Sequence, residues 1–183
     1  MARIYTRTGD AGSTGMLHGG RVSKGDELMD AVGDIDEAVS ALGIARAGCA
    51  MPEHAAILFR VQRDLFVVAA DLAANPERRD RLVPRISQVV PEMVTELEEL
   101  IDGLVAARPL RPVFLIPGST PTEAAIDLSR TVVRRAERHT VRAGAAGHLV
   151  SDDVFHYLNR LSDLLYVLAR HSAGPEAEPA SHD

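Results

Sequence analysis

Apolar residues recur along most of this chain in alternating steps of four and three. Leu28, Val32, Ile35, Val39 and Leu42 form one such set, and Leu58, Val61, Leu65, Val68 and Leu72 the next. Ile86, Val90, Met93, Leu97, Leu100 and Leu104 form a third, and Val154, Leu158, Leu161, Leu165 and Leu168 the last. A side chain every three or four positions returns to the same side of an α-helix, so each set predicts one helix with a single apolar stripe. A less regular helix is predicted at about 122–143, with Ala125, Leu128, Val132 and Ala136 as its apolar side. Helix breakers fall between these segments: Gly48 and Pro52, then Asn75-Pro76 and Pro84, then Pro109, Pro112, Pro117-Gly118 and Pro121, and finally Gly144 and Gly147. Thr120 is placed to cap the fourth helix, with Pro121 in its first turn and Glu123 at the capping-box position; Ser151 is placed to cap the fifth. No strand alternation persists, so a sheet is not expected. The fold class expected is all-α, a five-helix up-and-down bundle of helices about 30 Å long.

Two stretches fall outside this pattern. Residues 1–24 hold five glycines, three threonines and four basic residues without helical periodicity, which makes them a loop-rich head with at most a short extended start at Arg3–Thr6. From Ser172 on, the tail has no apolar period, and residues 173–183 are expected to be disordered. The organisation expected is one domain over residues 1–183, with the helices spanning 25–172.

Composition narrows the function classes. With 183 residues, 46% of them hydrophobic, the chain is long enough to bury its own core. A net charge of −6 argues against a broad basic surface for nucleic acid, although it leaves room for a local arginine cluster. The longest apolar run, Leu65–Ala70, has six residues, where a membrane span needs about 20. The start MARIYTRTGD has no apolar export region, so a cytoplasmic location is expected. One cysteine, Cys49, excludes an intrachain disulfide and a multi-cysteine metal site. The lone Asp153-x-x-His156 has no Glu-x-x-His companion, so no resident metal site is expected.

Three places depart from a plain bundle. In the head, Gly9, Gly12 and Gly15 let the backbone turn tightly among Thr6, Thr8, Ser13 and Thr14, with Arg7 and Lys24 adding charge. This pattern fits a flexible polar N-terminus or a nest of N–H donors for a polyphosphate; the Lys-containing P-loop signature is absent. On the fourth helix, Arg130, Arg134, Glu137 and Arg138 share one face of about 100° opposite the apolar side, and Arg135 stands beside them. Such a face is either a solvated ion-pair surface or an anion site, since four arginines exceed what one glutamate neutralises. On the fifth helix, Asp152, His156, Asn159, Asp163, Tyr166 and Arg170 form a polar stripe parallel to the leucines, free of long solvating Lys or Glu side chains.

Taken together these blocks resemble the PduO-type ATP:cob(I)alamin adenosyltransferases. The resemblance rests on Tyr5-Thr6-Arg7-Thr8-Gly9-Asp10 with Gly12 and Thr14, on Arg21-Val22-Ser23-Lys24, and on Gly33-Asp34-Ile35-Asp36-Glu37. It continues through Phe114-Leu115-Ile116-Pro117-Gly118, Arg130-x3-Arg134-Arg135-Ala136-Glu137-Arg138 and Leu158-Asn159-Arg160-Leu161-Ser162-Asp163, in the family's order over residues 3–170. Departures are Ser119 for the usual second glycine, Ala11 where Lys is common, Arg7 for Lys and Tyr166 for Phe. The resemblance implies a homotrimer with active sites between subunits, transferring the 5′-deoxyadenosyl group of ATP to cob(I)alamin. It implies ATP held by Thr6, Arg7, Thr8, Gly9, Thr14, Gly15, Lys24, Arg134, Arg135, Glu137, Arg138 and Asn159. Lys24, Arg134 and Phe114 would act in catalysis, Phe114 by pressing on the lower face of the corrin. Asp36 of one subunit would pair with Arg130 of the next. Mg²⁺ would be held mainly by the ATP phosphates. A flavin-type reductase and an adenosylcobalamin-dependent mutase would be partners. The alternative reading is an adenosylcobalamin carrier for such a mutase, with catalysis secondary.

Overall fold

A computed structural model describes residues 5–174 and 177–180. The chain is mostly helical, with a small hairpin of β1 (Ser13–Gly15) and β2 (Arg21–Ser23) ahead of α1 (Glu27–Ala47), α2 (Pro52–Leu72), α3 (Pro91–Ala107), α4 (Pro121–Ala145) and α5 (Asp152–Ser172). A 3-10 helix, Pro76–Arg81, joins α2 to α3. Among the described residues no helix is long and apolar enough to cross a membrane.

The stripes of α2 and α5 are buried as the pattern requires: Leu58, Val61, Leu65, Val68, Leu72 and Val154, Leu158, Leu161, Leu165, Leu168 all face the core. Three expectations are corrected. In α1 the inner positions between Leu28, Ile35 and Leu42 are Ala31, Ala38 and Ala45, which let the neighbouring helices approach closely, while Val32 and Val39 are only partly covered. Ile86 is exposed, because Pro91 starts α3 five residues later and Ile86 matches the spacing without belonging to the helix. Leu128 is also exposed; the expected Val132 and Ala136 are buried, joined by Ile126, Ser129, Val133 and Thr140. The Ser129 and Thr140 hydroxyls satisfy themselves on the carbonyls of Ala125 and Ala136, one turn back, so they enter the core without stranding a polar group.

The hairpin corrects the expectation of no sheet. Its three-residue strands pair Ser13 with Ser23, Thr14 with Val22 and Gly15 with Arg21, too short a register to leave an alternating pattern. Its turn uses left-handed backbone at His18, Gly19 and Gly20. The hairpin is fastened to the end of α2 by Leu17 N–H to Ala73 O (2.8 Å) and Asn75 N–H to Leu17 O (2.9 Å).

Helices consecutive in the chain run antiparallel, and α3 and α5, which pack on each other, run parallel. Thr122 Oγ1 donates to Gly48 O (2.7 Å) where α4 starts and α1 stops, and His148 Nε2 meets Asp26 Oδ1 (2.8 Å) where α4 has ended and α1 begins. At the first of these ends, Ser172 of α5 lies 3.3 Å from His54 of α2, and Arg108 after α3 donates to Arg170 O. The head therefore occupies one end of the helices and the 109–119 loop the other, about 30 Å apart for helices of this length. The tail was expected to be disordered; its described residues lie against that loop, with Ile116 N–H to Glu178 O and Ala180 N–H to Phe114 O.

Candidate active site

The head is organised around one guanidinium. Arg21 donates to Ser13 Oγ, Ser13 O (2.9 Å) and Thr8 O (2.6 Å), so the Thr6–Gly9 segment is drawn onto the hairpin. Thr6 and Thr8 hydroxyls lie 2.8 Å apart. Arg7 and Gly12 have left-handed backbone, with Arg7 at φ 62° and Gly12 at φ 78°, which curls the segment between them. Lys24 is brought back to this turn by its own N–H on Gly12 O (2.9 Å). A Cβ at Gly9 would stand 3.1 Å from Lys24 Nζ, which shows how closely the ammonium lies against the loop. Threonine hydroxyls, the Lys24 ammonium and the curled backbone thus converge on one small surface, a donor set suited to phosphate oxygens.

The arginines of α4 divide into two groups. Arg134 and Arg138 are exposed, and among the described residues neither has a carboxylate partner; Arg138 donates to the Arg134 carbonyl (2.9 Å). Arg135 was expected with the nucleotide groups but turns to α1, where Glu37 and Asp34 accept from it. Those two bonds, Glu37 first, push its pKa further up, and they fix α4 on α1. Beside Arg138, His139 Nδ1 lies 2.7 Å from Asp34. Glu137 and Asn159 are together: Asn159 Nδ2 donates to Glu137 Oε1 (3.0 Å), joining α4 to α5 on the side where Arg134 and Arg138 emerge.

Arg130 donates to both carboxylate oxygens of its own chain's Asp127. Asp36 is exposed in a groove of about 400 Å³ between α1 and α2, among Met29, Val32, Val39, Phe66 and Ala69, and does not meet Arg130 within the chain. Phe114 is 77% exposed at the opposite end from the head, its carbonyl held by Ala180 N–H. An apolar ring so displayed has no part in this chain's core.

Two groups that the pattern reading did not single out shape the site. Arg21 was seen only as part of a motif; besides the Ser13 hydroxyl its partners are the carbonyls of Thr8 and Ser13, which no residue pattern reveals. Glu123 was read as a capping-box residue. Thr120 Oγ1 does cap the Glu123 N–H, but the Glu123 carboxylate turns to Gly118 N–H (2.6 Å) and Arg170 (2.5 Å).

The family model described as cobalamin adenosyltransferase matches residues 4–172. The chain is 39% identical over 171 residues to a corrinoid adenosyltransferase of Citrobacter freundii, covering 93% of this chain and 94% of that one. It is 40% identical over 182 residues to a corrinoid adenosyltransferase of Mycobacterium tuberculosis, covering 97% and 92%. Among solved structures, a variant of the PduO-type ATP:corrinoid adenosyltransferase from Lactobacillus reuteri, complexed with cobalamin and ATP, is similar with a TM-score of 0.81 at 30% identity over 93% of each chain. Another variant of that protein, complexed with ATP, has a TM-score of 0.78 at 29% identity, over 92% of this chain and 93% of that one.

Proposed function

The chain belongs to the cobalamin adenosyltransferase family, and we propose that its residues divide the reaction between two subunits, the head of one meeting the α4 face and Phe114 loop of the next. The protein is an enzyme that adenosylates cobalamin with ATP. In the reaction the electron pair of Co(I) attacks C5′ of ATP. The C5′–O bond breaks, its electrons leave with the triphosphate, and cobalt, now formally Co(III), carries the 5′-deoxyadenosyl group. The nucleophile belongs to the substrate, so the protein needs no activated Ser or Cys.

What the chain supplies is alignment and charge. Thr6, Arg7, Thr8, Gly9, Thr14 and Gly15 with Lys24 hold the triphosphate, and Arg134 and Arg138 of the neighbouring subunit approach it from the other side. Glu137, oriented by Asn159, takes the nucleoside. Arg135 serves the site indirectly, by seating α4 on α1. Mg²⁺ suits this surface, because the Thr6 and Thr8 hydroxyls are hard oxygen donors beside the place for the phosphates; bound there it would neutralise charge on the leaving triphosphate. Phe114 presses on the lower corrin face and excludes the lower axial ligand, so that Co(II) accepts an electron from a flavin-type donor. Correct alignment of C5′ with cobalt is worth several kcal/mol.

The observation that carries this reading is the pair of exposed arginines Arg134 and Arg138, without a carboxylate partner among the described residues, beside the Glu137–Asn159 pair. Division between subunits is supported by the end-to-end separation of the head and the Phe114 loop, about 30 Å in one chain, far more than a nucleotide spans. It is supported also by complementarity: an acidic residue, Asp36, in an apolar groove, and a basic one, Arg130, on a face with exposed Leu128. Two different faces of this kind form a head-to-tail contact that closes into a ring, as a homotrimer requires. The five helices form the bundle of each subunit, and the enzyme works in the cytoplasm, supplying a mutase that uses adenosylcobalamin.

The test is complementation. Lys24→Ala and Arg134→Ala are each expected to lose turnover. Co-expressed as mixed oligomers they regain it, because some interfaces then join an intact head to an intact α4. Mixed oligomers without activity would place the site within one chain.

A further inference from the structure

Of the apolar residues 113–117 in the loop that carries Phe114, only Leu115 is half-buried and the rest are exposed. Phe114 is 77% and Ile116 51% exposed. The loop is held by polar contacts, from the tail through Ala180 N–H to Phe114 O and Ile116 N–H to Glu178 O, and from underneath by Arg170 and Glu123. Arg170 of α5 donates from one terminal nitrogen to Leu115 O (3.2 Å) and from the other to Glu123 Oε1 (2.5 Å) and Asp127 Oδ1 (3.5 Å). The second oxygen of Glu123 accepts from Gly118 N–H (2.6 Å), where the backbone is left-handed at φ 121°. One ion pair thus holds the loop at Leu115 and at Gly118, on either side of Ile116 and Pro117. All three side chains are buried, Arg170 at 7% exposure, Glu123 at 1% and Asp127 at 8%. The Arg170 guanidinium also lies over the Tyr166 ring, 5.3 Å from its centre, and Tyr166 and Phe114 line the same small cavity of about 220 Å³ with Pro112 and Val113.

Given the wedge reading of Phe114 on which this rests, we propose that Arg170, locked by Glu123 and Asp127, is the positioning residue that sets Phe114 against the corrinoid. A buried ion pair is a poor device for stability alone, because removing two charges from water offsets most of their attraction. It is a good device for geometry: the planar guanidinium fork fixes several acceptors at once, which a lysine ammonium does not. The Glu123 carboxylate is not needed to cap α4, since Thr120 does that; its contacts are with the loop and with Arg170. Asp127 is shared between Arg170 and Arg130, so the same cluster links the Phe114 loop to the face of α4 that meets a neighbouring subunit.

The experiment uses the full-length protein with Mg-ATP and two corrinoid inputs: chemically pre-reduced cob(I)alamin, and cob(II)alamin with a one-electron reductant. Arg170→Lys keeps the charge and removes the fork; Glu123→Gln keeps the shape and removes the charge. Phe114→Ala runs alongside, and circular dichroism melting confirms folding. A displaced wedge is expected to slow the Co(II) route about 10- to 100-fold, while the cob(I)alamin route stays within about threefold of the parent. The visible spectrum of bound cob(II)alamin should shift, as for Phe114→Ala, toward that of a corrinoid with its lower ligand in place. If Phe114→Ala splits the two routes and the folded Arg170 and Glu123 variants do not, the positioning role is overturned and the wedge stands. If those variants slow both routes equally, their role is structural and the proposal fails. If Phe114→Ala itself does not split the routes, the wedge reading and this inference fall together. Should Arg170→Lys not fold, Glu123→Gln decides.

Discussion

Removal of the Arg21 side chain separates the head's function from the fold. Arg21→Ala deletes the donors that reach Thr8 O (2.6 Å) and Ser13 O (2.9 Å), together with the two contacts to Ser13 Oγ. Arg21 is exposed and touches no helix core, so the change in stability should stay within about 0.5 kcal/mol, or about 1–2 °C in melting temperature for a chain of this size. The Thr8 bond has no substitute, because the strand pairing covers only residues 13–15 and 21–23. Such hydrogen bonds are worth about 0.5–1.5 kcal/mol each, so loss of the two carbonyl contacts costs the ordered loop about 1–3 kcal/mol. Binding ATP must then supply that ordering, which weakens its affinity about 5- to 150-fold. Isothermal titration with Mg-ATP measures this directly. Arg21→Lys should fall between parent and alanine variant, since an ammonium has no fork to bridge both carbonyls. Unchanged ATP affinity in Arg21→Ala would show that the loop needs no such clamp. A collapse in melting temperature would show that Arg21 holds the fold rather than the site.

Three further outcomes are expected. Asp71, 1% exposed, accepts from Val89 N–H (2.8 Å) and Arg79 (2.5 Å) and so pins the α2–α3 connection; Asp71→Asn should cost about 2–4 kcal/mol, read as a fall of about 4–16 °C in melting temperature, and a fall under 2 °C would refute it. Burial holds both His54 and His171 below their ordinary value of 6.5, with the neighbouring His171 a second cause for His54. The unfolded chain therefore binds protons that the folded one refuses: stability is full above pH 6.5 and falls as pH drops below it, so His54→Gln should melt with a shallower pH dependence between 7.5 and 5.5, and equal slopes would refute the assignment. Phe114→Ala should slow the Co(II)-dependent route more than the cob(I)alamin route, and an equal loss on both would remove its wedge role.

The helices were legible where burial is decided by large aliphatic residues. Every stripe residue of α2 and α5 lies in the core. Legibility failed where spacing and burial part company. Ile86 fits a three-four rhythm but precedes the proline that starts α3, and Leu128 lies on the side of α4 left open, while Ser129 and Thr140 go inside because each hydroxyl bonds its own helix. Of the residues expected in the site, Arg134 and Arg138 stood out in the pattern as arginines in excess of their glutamate and are exposed in the structure, whereas Phe114 was named only through the family resemblance. The role of Arg135 was not legible, because its partners Asp34 and Glu37 lie about a hundred residues earlier and only packing of α4 on α1 brings them near. Arg21 on Thr8 O and Ser13 O, and Arg170 on Leu115 O, reach carbonyl oxygens, which every residue has, so sequence carries no mark of those contacts.

The central claim is that ATP reacts with reduced cobalamin at the Arg134 face. Purified protein, Mg-ATP and chemically reduced cob(I)alamin are combined anaerobically and the visible spectrum is followed, for the parent and for Arg134→Ala. Adenosylcobalamin should accumulate with the parent and fail to do so with the variant, whose melting temperature should stay within about 2 °C because Arg134 is exposed and has no carboxylate partner among the described residues. Product formed at the same rate by a folded Arg134→Ala protein would contradict the account.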